Sequence, residues 1–199
     1  MINISEYSLF FINKNFNLPE YKFKKKIKKI KKYDYLFYEI FHKINKLDIS
    51  SFNKYDESQE KIKLSDKINN LKIKNKDEIL NNLLYEDSIN LITLNAIIKS
   101  YNTNLIYYQD NVYYKMCYND NDIPLVITNN YQFVNKDNFD NLYEITNLEK
   151  PLNSISYYKV NELINFAIKL KLPYEKIKKI DLYNSIYNYL VKLNIFKID

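Results

Sequence analysis

Apolar residues recur at intervals of three and four along the first hundred residues, a spacing that predicts α-helices. The longest such pattern begins at Pro19 and places on one helical face Phe23, Ile27, Ile30, Phe37, Ile40, Phe41, Ile44 and Leu47. Residues 53–86 keep this spacing and predict two charged, partly exposed helices. Asp87 and Ser88 are candidate N-caps for a shorter helix over residues 89–100. This helix is apolar on most sides, so we expect it at the centre of the core.

From Tyr101 the pattern changes to short runs of β-branched and aromatic residues, which predict β-strands. The predicted strands are residues 104–108, 112–118, 123–128 and 131–134. Asn- and Asp-rich segments separate them at 109–111, 119–122 and 129–130, and these segments predict hairpin turns. The expected fold is α+β, with a helical N-terminal half and a small antiparallel sheet packed on the central helix over residues 89–100.

Two apolar stripes predict a helix–loop–helix at the C-terminus. The first consists of Val160, Leu163, Ile164, Ala167 and Leu170, and the second of Leu182, Tyr183, Ile186, Tyr187 and Leu190. Leu172-Pro173 ends the first helix. Residues 149–154 have the character of a linker, since Pro151 disfavours helix in the residue before it. We therefore predict an α+β body over 1–150 and a helical hairpin over 151–199.

Composition restricts both the turns and the chemistry. The chain contains no Gly, Trp or Arg, and its only alanines are Ala96 and Ala167, a bias typical of an AT-rich genome. Backbone positions that need positive φ are therefore expected to use Asn or Asp. Without glycine, phosphate-binding loops, dinucleotide fingerprints and nucleophile elbows are excluded.

Candidate catalytic groups are few, because the chain has one histidine and one cysteine. We expect His42 to be a packed or rim residue and Cys117 to be a small buried hydrophobe; a Cys117–His42 dyad in an active thiol enzyme is the remaining alternative. One Cys and one His argue against a zinc site, so we expect no metal, no cofactor and no catalysis.

Cellular location follows from similar arguments. A single cysteine cannot form an intramolecular disulfide, which favours a reducing compartment. The apolar run over residues 7–12 is too short for a membrane span and lacks a basic leader. We expect an intracellular protein, in the host cytoplasm, a viral factory or the virion, that is not secreted and has no membrane partner.

Charge is distributed unevenly along the chain. Residues 1–50 carry a net charge of +6, residues 51–150 carry −4, and residues 151–199 carry +4. Basic ends favour a polyanionic partner. The candidate nucleic-acid-binding residues are Lys24, Lys25, Lys28, Lys29 and Lys32 in the first basic segment and Lys169, Lys171, Lys176, Lys178 and Lys179 in the last. The alternatives are a solvated helix face or a localisation signal for the first group, and simple solubilisation of a docked hairpin for the second.

The C-terminal residues resemble the SAP motif. Val160-Asn161-Glu162-Leu163 matches the opening of its first helix, Leu172-Pro173 the exit, and Lys179-Ile180-Asp181-Leu182 the opening of its second helix. The loop departs from the family, since it lacks glycine and is one residue longer. The resemblance implies binding of DNA or RNA through the second helix and the loop before it.

The body is similar to OTU-like cysteine proteases in the order of its elements. Tyr33-Asp34-Tyr35-Leu36-Phe37 corresponds to the Asp-led turn that carries the family's cysteine, and Asn130-Tyr131 corresponds to the strand that carries its His-Tyr. No cysteine lies near Asp34; Phe37, Tyr38 and Glu39 fill the nearby positions, and Asn130 stands in place of the histidine. The resemblance implies a catalytically dead module that recognises ubiquitin or a similar protein.

The whole layout resembles a family of unknown activity encoded by giant nucleocytoplasmic DNA viruses. The matching residues are Tyr33-Asp34-Tyr35-Leu36-Phe37 and Lys150-Pro151-Leu152, followed by the SAP-like tail. The leading hypothesis is a non-enzymatic viral protein whose tail binds nucleic acid, expected to be DNA without sequence preference, while its body binds a protein partner. The alternative is the OTU-like pseudoenzyme.

Overall fold

The computed structural model describes residues 34–46 and 54–195, which form six α-helices and a four-stranded sheet. The helices are α1 Tyr35–Asn45, α2 Lys54–Asn69, α3 Lys76–Tyr85, α4 Leu91–Ser100, α5 Val160–Leu170 and α6 Lys179–Lys192. The strands are β1 Asn104–Gln109, β2 Val112–Cys117, β3 Leu125–Thr128 and β4 Tyr143–Ile145. The predicted α+β class is confirmed, and the part of the first predicted helix before residue 34 lies outside the described residues.

Local hydrogen bonds set the ends of the N-terminal helices. Asp34 caps α1, because its carboxylate accepts from the backbone N–H of Phe37 at 3.1 Å. The helices α2 and α3 lie where their spacing predicts. For α4, the predicted caps Asp87 and Ser88 are wrong: Asn90 is the N-cap, and its side chain accepts from the backbone N–H of Thr93 at 2.8 Å.

The sheet is mixed, so the predicted antiparallel arrangement is only partly correct. Its order is β3-β1-β2-β4, in which β1 and β2 form an antiparallel hairpin, β3 runs parallel to β1, and β4 runs parallel to β2. The predicted strand over 131–134 provides only a single bridge between Ile127 and Phe133. The sequence pattern also missed β4, whose three residues are too few to show a period.

A buried asparagine explains why β3 does not form a hairpin with β2. Asn104, 4% exposed, accepts from the backbone N–H groups of Tyr118 and Asn119 and donates to the carbonyls of Asn119 and Asp122. These four bonds hold residues 118–122 across the end of β1. The next strand, β3, therefore joins the sheet on the side of β1 that faces away from β2. The predicted hairpin turn at 119–122 is therefore a crossover.

The main core lies on the helical face of the sheet and includes residues from both ends of the described chain. Leu94, Ile97, Leu105 and Met116 belong to the same buried cluster as Leu163, Ala167, Ile186 and Leu190 of the C-terminal helices. Residues 129–142 cover the opposite face, where a smaller cluster forms around Ile106, Tyr113 and Val126. The shared cluster packs α5 and α6 against the body, and the division of the chain into 1–150 and 151–199 stays a prediction.

Among the described residues, half of the positive-φ positions follow the expectation from the missing glycine. Those occupied by the expected residue types are Asn75, Asn102, Asp110 and Asn194. The others in these ranges are Lys46, Tyr131, Lys171 and Lys176. Lysine at helix ends and in loops thus takes a role that was expected of Asn and Asp.

Candidate nucleic-acid interface

The two C-terminal helices of the predicted helix–loop–helix run parallel to each other. Tyr158, just before α5, lies with its ring centroid 6.5 Å from that of Tyr183 in the second turn of α6. At the other end, the side chain of Asn111 donates to the carbonyl of Leu170, the last residue of α5, and to the hydroxyl of Tyr189 in α6. The two helix N-termini therefore lie at one end of the module, and the two C-termini at the other.

The C-terminal ends of both helices face the β1–β2 turn. Asn111 and Gln109 donate side-chain N–H groups to the carbonyls of Leu170 and Leu193, each at 3.4 Å. Such carbonyls have no partner within their own helix, so amide donors from the body stabilise them. Phe166 of α5 also packs edge-on against Tyr143 of β4, with ring centroids 5.1 Å apart. The body thus fixes the orientation of the module.

Because the helices are parallel, the connecting loop must return along the length of α5. It comprises residues 171–178, and α5 with its 11 residues is roughly 16 Å long. Positive φ at Lys171 (59°) and Lys176 (55°) shapes this path. Glycine adopts positive φ most readily, and lysine occupies both of these loop positions.

The structure distributes the predicted C-terminal lysines along this loop and its two ends. Lys169 is in the last turn of α5, Lys171 and Lys176 are in the loop, Lys178 precedes α6, and Lys179 is its first residue. Three are exposed, and Lys169 and Lys179 are half-buried. Within the described ranges, no ion pair joins any of the five to a carboxylate. The other predicted binding residues, Lys24, Lys25, Lys28, Lys29 and Lys32, lie outside the described residues.

A group of tyrosines lies beside these lysines. Tyr183 and Tyr187 belong to the apolar stripe of α6, but both are partly exposed, whereas Leu182, Ile186 and Leu190 are buried. Partial burial raises the pKa of Tyr183, and neighbouring Tyr158 and Tyr187 add to the shift. The spacing of Lys179, Tyr183 and Tyr187 at intervals of four was the available signal.

The candidate catalytic residues occupy different environments. His42 is buried, as expected, and its ring lies 4.3 Å from the ring centroid of Tyr38. The predicted burial of Cys117 is wrong: it is exposed on the face of β2 opposite to Met116, which packs in the core. The fold therefore separates Cys117 from the helical layer that contains His42. Side chains alternate between the two faces of a strand, so Cys117 points away from the core into which its neighbour Met116 packs.

The segments compared with the OTU-like family do meet in space. Leu36 and Tyr131 line one cavity of about 240 Å³, together with Ile89, Tyr107 and Ile195 among others. Phe37, one of the three residues that fill the positions near Asp34, is 1% exposed.

The described ranges contain neither a cluster of metal ligands nor a membrane-spanning helix. Among those residues, no group of three or more His, Cys, Asp or Glu side chains is placed to hold a metal ion. No helix in the same ranges combines the length and apolar character needed to cross a bilayer. Comparison of the chain with protein-family models, curated proteins and solved structures found no match.

Proposed function

We propose that this protein is a non-enzymatic, virus-encoded protein that holds nucleic-acid backbone through its C-terminal helix–loop–helix. The observation that carries the proposal is the row of lysines along the returning loop. Lys171, Lys176 and Lys178 are exposed in the eight-residue loop 171–178, and Lys179 follows as the first residue of α6. Ammonium groups spaced along such a row suit the regularly spaced phosphates of a nucleic acid.

The length of the row sets the size of the contact. A path of roughly 16 Å covers about five nucleotide steps of one strand, at about 3.4 Å per step. Lysine presents a flexible point charge without the planar fork that reads base edges, so the contact positions the protein without selecting a sequence. We therefore propose a tethering role, in which the body carries a protein partner.

Salt dependence measures the number of phosphate contacts directly. For the full chain and a fluorescent duplex, log affinity is expected to fall linearly with log salt. Replacing Lys176 and Lys178 by Gln should reduce the slope by about 2, because each phosphate contact contributes about 0.9. The matched control is Lys72→Gln with Lys74→Gln, since these lysines are also exposed and two residues apart. Equal effects of both pairs, or binding independent of salt, would refute the proposal.

A second candidate function rests on the cavity shared by Leu36 and Tyr131. We infer that the body recognises ubiquitin or a similar protein there without cleaving it. Both segments that the OTU-like resemblance pairs line this cavity, and the buried Phe37 is one of the residues found near Asp34, where the resemblance implies a cysteine in active members. Immobilised full-length chain should capture ubiquitin, and Tyr131→Lys should abolish the capture. Failure of the unmodified chain to retain ubiquitin would rule out this candidate.

A further inference from the structure

Four tyrosines form a continuous aromatic surface at the N-terminal end of α5 and α6. We call Tyr157, Tyr158, Tyr183 and Tyr187 the tyrosine platform. Tyr157 packs edge-on against Tyr158 with ring centroids 5.2 Å apart, and Tyr158 lies 6.5 Å from Tyr183. Tyr183 and Tyr187 are stacked at 6.3 Å with an interplanar angle of 18°. The rings thus follow one another from the 3-10 helix Ile155–Tyr157 onto α6.

Hydrogen bonds to one residue fix the centre of the platform. The backbone N–H of Asn153 donates to the hydroxyl of Tyr158 at 3.0 Å, and the hydroxyl of Tyr183 donates to the carbonyl of Asn153 at 2.8 Å. The outer ring, Tyr157, is 71% exposed and makes an edge contact with the ring of Tyr158. Rings that are ordered by hydrogen bonds, such as Tyr158 and Tyr183, can accept a flat partner with little loss of their own conformational freedom.

Positive charge borders the platform on both helices. Lys179, Tyr183 and Tyr187 are spaced by four residues and so lie along one side of α6. Lys159 is exposed next to Tyr158. The nearest acid on α5, Glu162, accepts from the backbone N–H of Lys159 at 2.6 Å and is thus partly engaged. The surface therefore combines one strongly exposed ring, Tyr157, and three partly exposed rings with lysines beside them.

We propose that the tyrosine platform stacks unpaired bases, so that the preferred ligand of this protein is single-stranded nucleic acid. This inference rests on the proposed function, because the lysine row would hold the phosphates of the same strand. A duplex presents phosphates but keeps its base faces inside the stack, whereas a single strand offers both groups. Stacking on tyrosine accepts every base, which agrees with a contact that reads no sequence.

The absence of tryptophan from the chain permits a direct test. Tyr157→Trp introduces one fluorophore at the platform, and Tyr85→Trp introduces one at an equally exposed tyrosine at the end of α3, 73% exposed. Single-stranded DNA or RNA should quench the emission of the first variant and leave the second unchanged. Titrations with each strand type identify the source of the unpaired bases. Equal responses of the two variants would overturn the proposal.

Affinity measurements separate this inference from the proposed function. By fluorescence anisotropy with the full chain, Tyr157→Ala should weaken single-strand binding about tenfold and Tyr85→Ala should not, while duplex binding is unaffected by either. If Tyr157→Ala has no effect but Lys176→Gln with Lys178→Gln weakens binding, the platform is refuted and the backbone contact stands. If the unmodified chain binds neither strand nor duplex, both proposals fail.

Discussion

The buried charge cluster around Asp34 gives the sharpest prediction about stability. Lys61 in α2 lies 2.9 Å from a carboxylate oxygen of Asp34 and 3.0 Å from one of Glu57. The same Asp34 oxygen that contacts Lys61 also accepts from the backbone N–H of Ile89 at 2.9 Å. Because the side chains of Asp34 and Lys61 are 1% and 7% exposed, water cannot replace these contacts. Asp34 therefore connects α1, α2 and the segment before α4.

Replacement of Asp34 and replacement of Lys61 should lower the free energy of unfolding by different amounts. Asp34→Asn removes one charge, keeps an acceptor for the α1 cap, and leaves Lys61 paired with Glu57, so we expect a loss of about 2 kcal/mol. Lys61→Met leaves two buried carboxylates without their cation, so we expect about 3–5 kcal/mol. A domain of this size is stable by only about 5–15 kcal/mol, and the second variant should be visibly destabilised.

Urea unfolding at pH 7, followed by circular dichroism at 222 nm, measures both changes. Lys63→Met is the control on the same helix, because Lys63 pairs with Glu60 at 2.6 Å but is exposed. Its unfolding midpoint should stay unchanged, since exposed ion pairs add little. If Lys61→Met is no more destabilising than Asp34→Asn, the assignment of Lys61 as the shared cation of two buried carboxylates is wrong.

Three further predictions concern the crossover, the tyrosines and the C-terminal helices. Asn104→Leu should cost about 2–4 kcal/mol, because it leaves buried backbone groups unsatisfied; urea midpoints check this, and a change below about 0.5 kcal/mol would contradict it. Burial raises the pKa of Tyr107 and of Tyr114 to about 12; Tyr131 and Asp110 add to the shift of Tyr107, and Tyr118 adds to that of Tyr114. Since these folded-state values exceed the unfolded value of about 10, their stabilisation is complete below about pH 10 and is lost as pH rises towards about 12. Absorbance at 295 nm should therefore show a late-ionising fraction in the folded chain but not in urea; its absence from the folded chain would count against the assigned burial. Ile186→Ala should reduce the free energy of unfolding by about 2–5 kcal/mol and lower the urea midpoint of the whole chain in a single transition, because Ile186 is fully buried in the common core. A separate early transition would show that the C-terminal helices unfold independently.

Local patterns in the sequence were sufficient for several elements. The charged helices α2 and α3 follow from apolar spacing, and the β1–β2 hairpin follows from two β-branched runs around Asp110-Asn111, whose first residue has φ 52°. The C-terminal helices and the proline exit at Pro173 were also predictable. In each case the residues that determine the element are close neighbours in sequence, so the local sequence pattern is sufficient to predict it.

The candidate interface was only half predictable. Sequence indicates lysines near the start of α6, but the row along the returning loop exists because α5 and α6 are parallel. Contacts of Asn111 with Leu170 and Tyr189, residues distant in sequence, set that direction. A loop of eight residues is long enough for either direction, so loop length alone could not decide it.

The sequence by itself determined the composition of the protein, its basic ends, most of its helices and the hairpin of its sheet. Only the tertiary structure decided that β3 pairs parallel to β1 and β4 parallel to β2, and that Cys117 is exposed. It also decided that the lysines of the returning loop lie beside the tyrosine platform. The physical reason is the sequence separation of the residues that interact. Helix periodicity and turn chemistry act over a few residues, whereas Asn104 and Asp34 form bonds whose partners are up to 55 residues away, and such partners leave no local pattern.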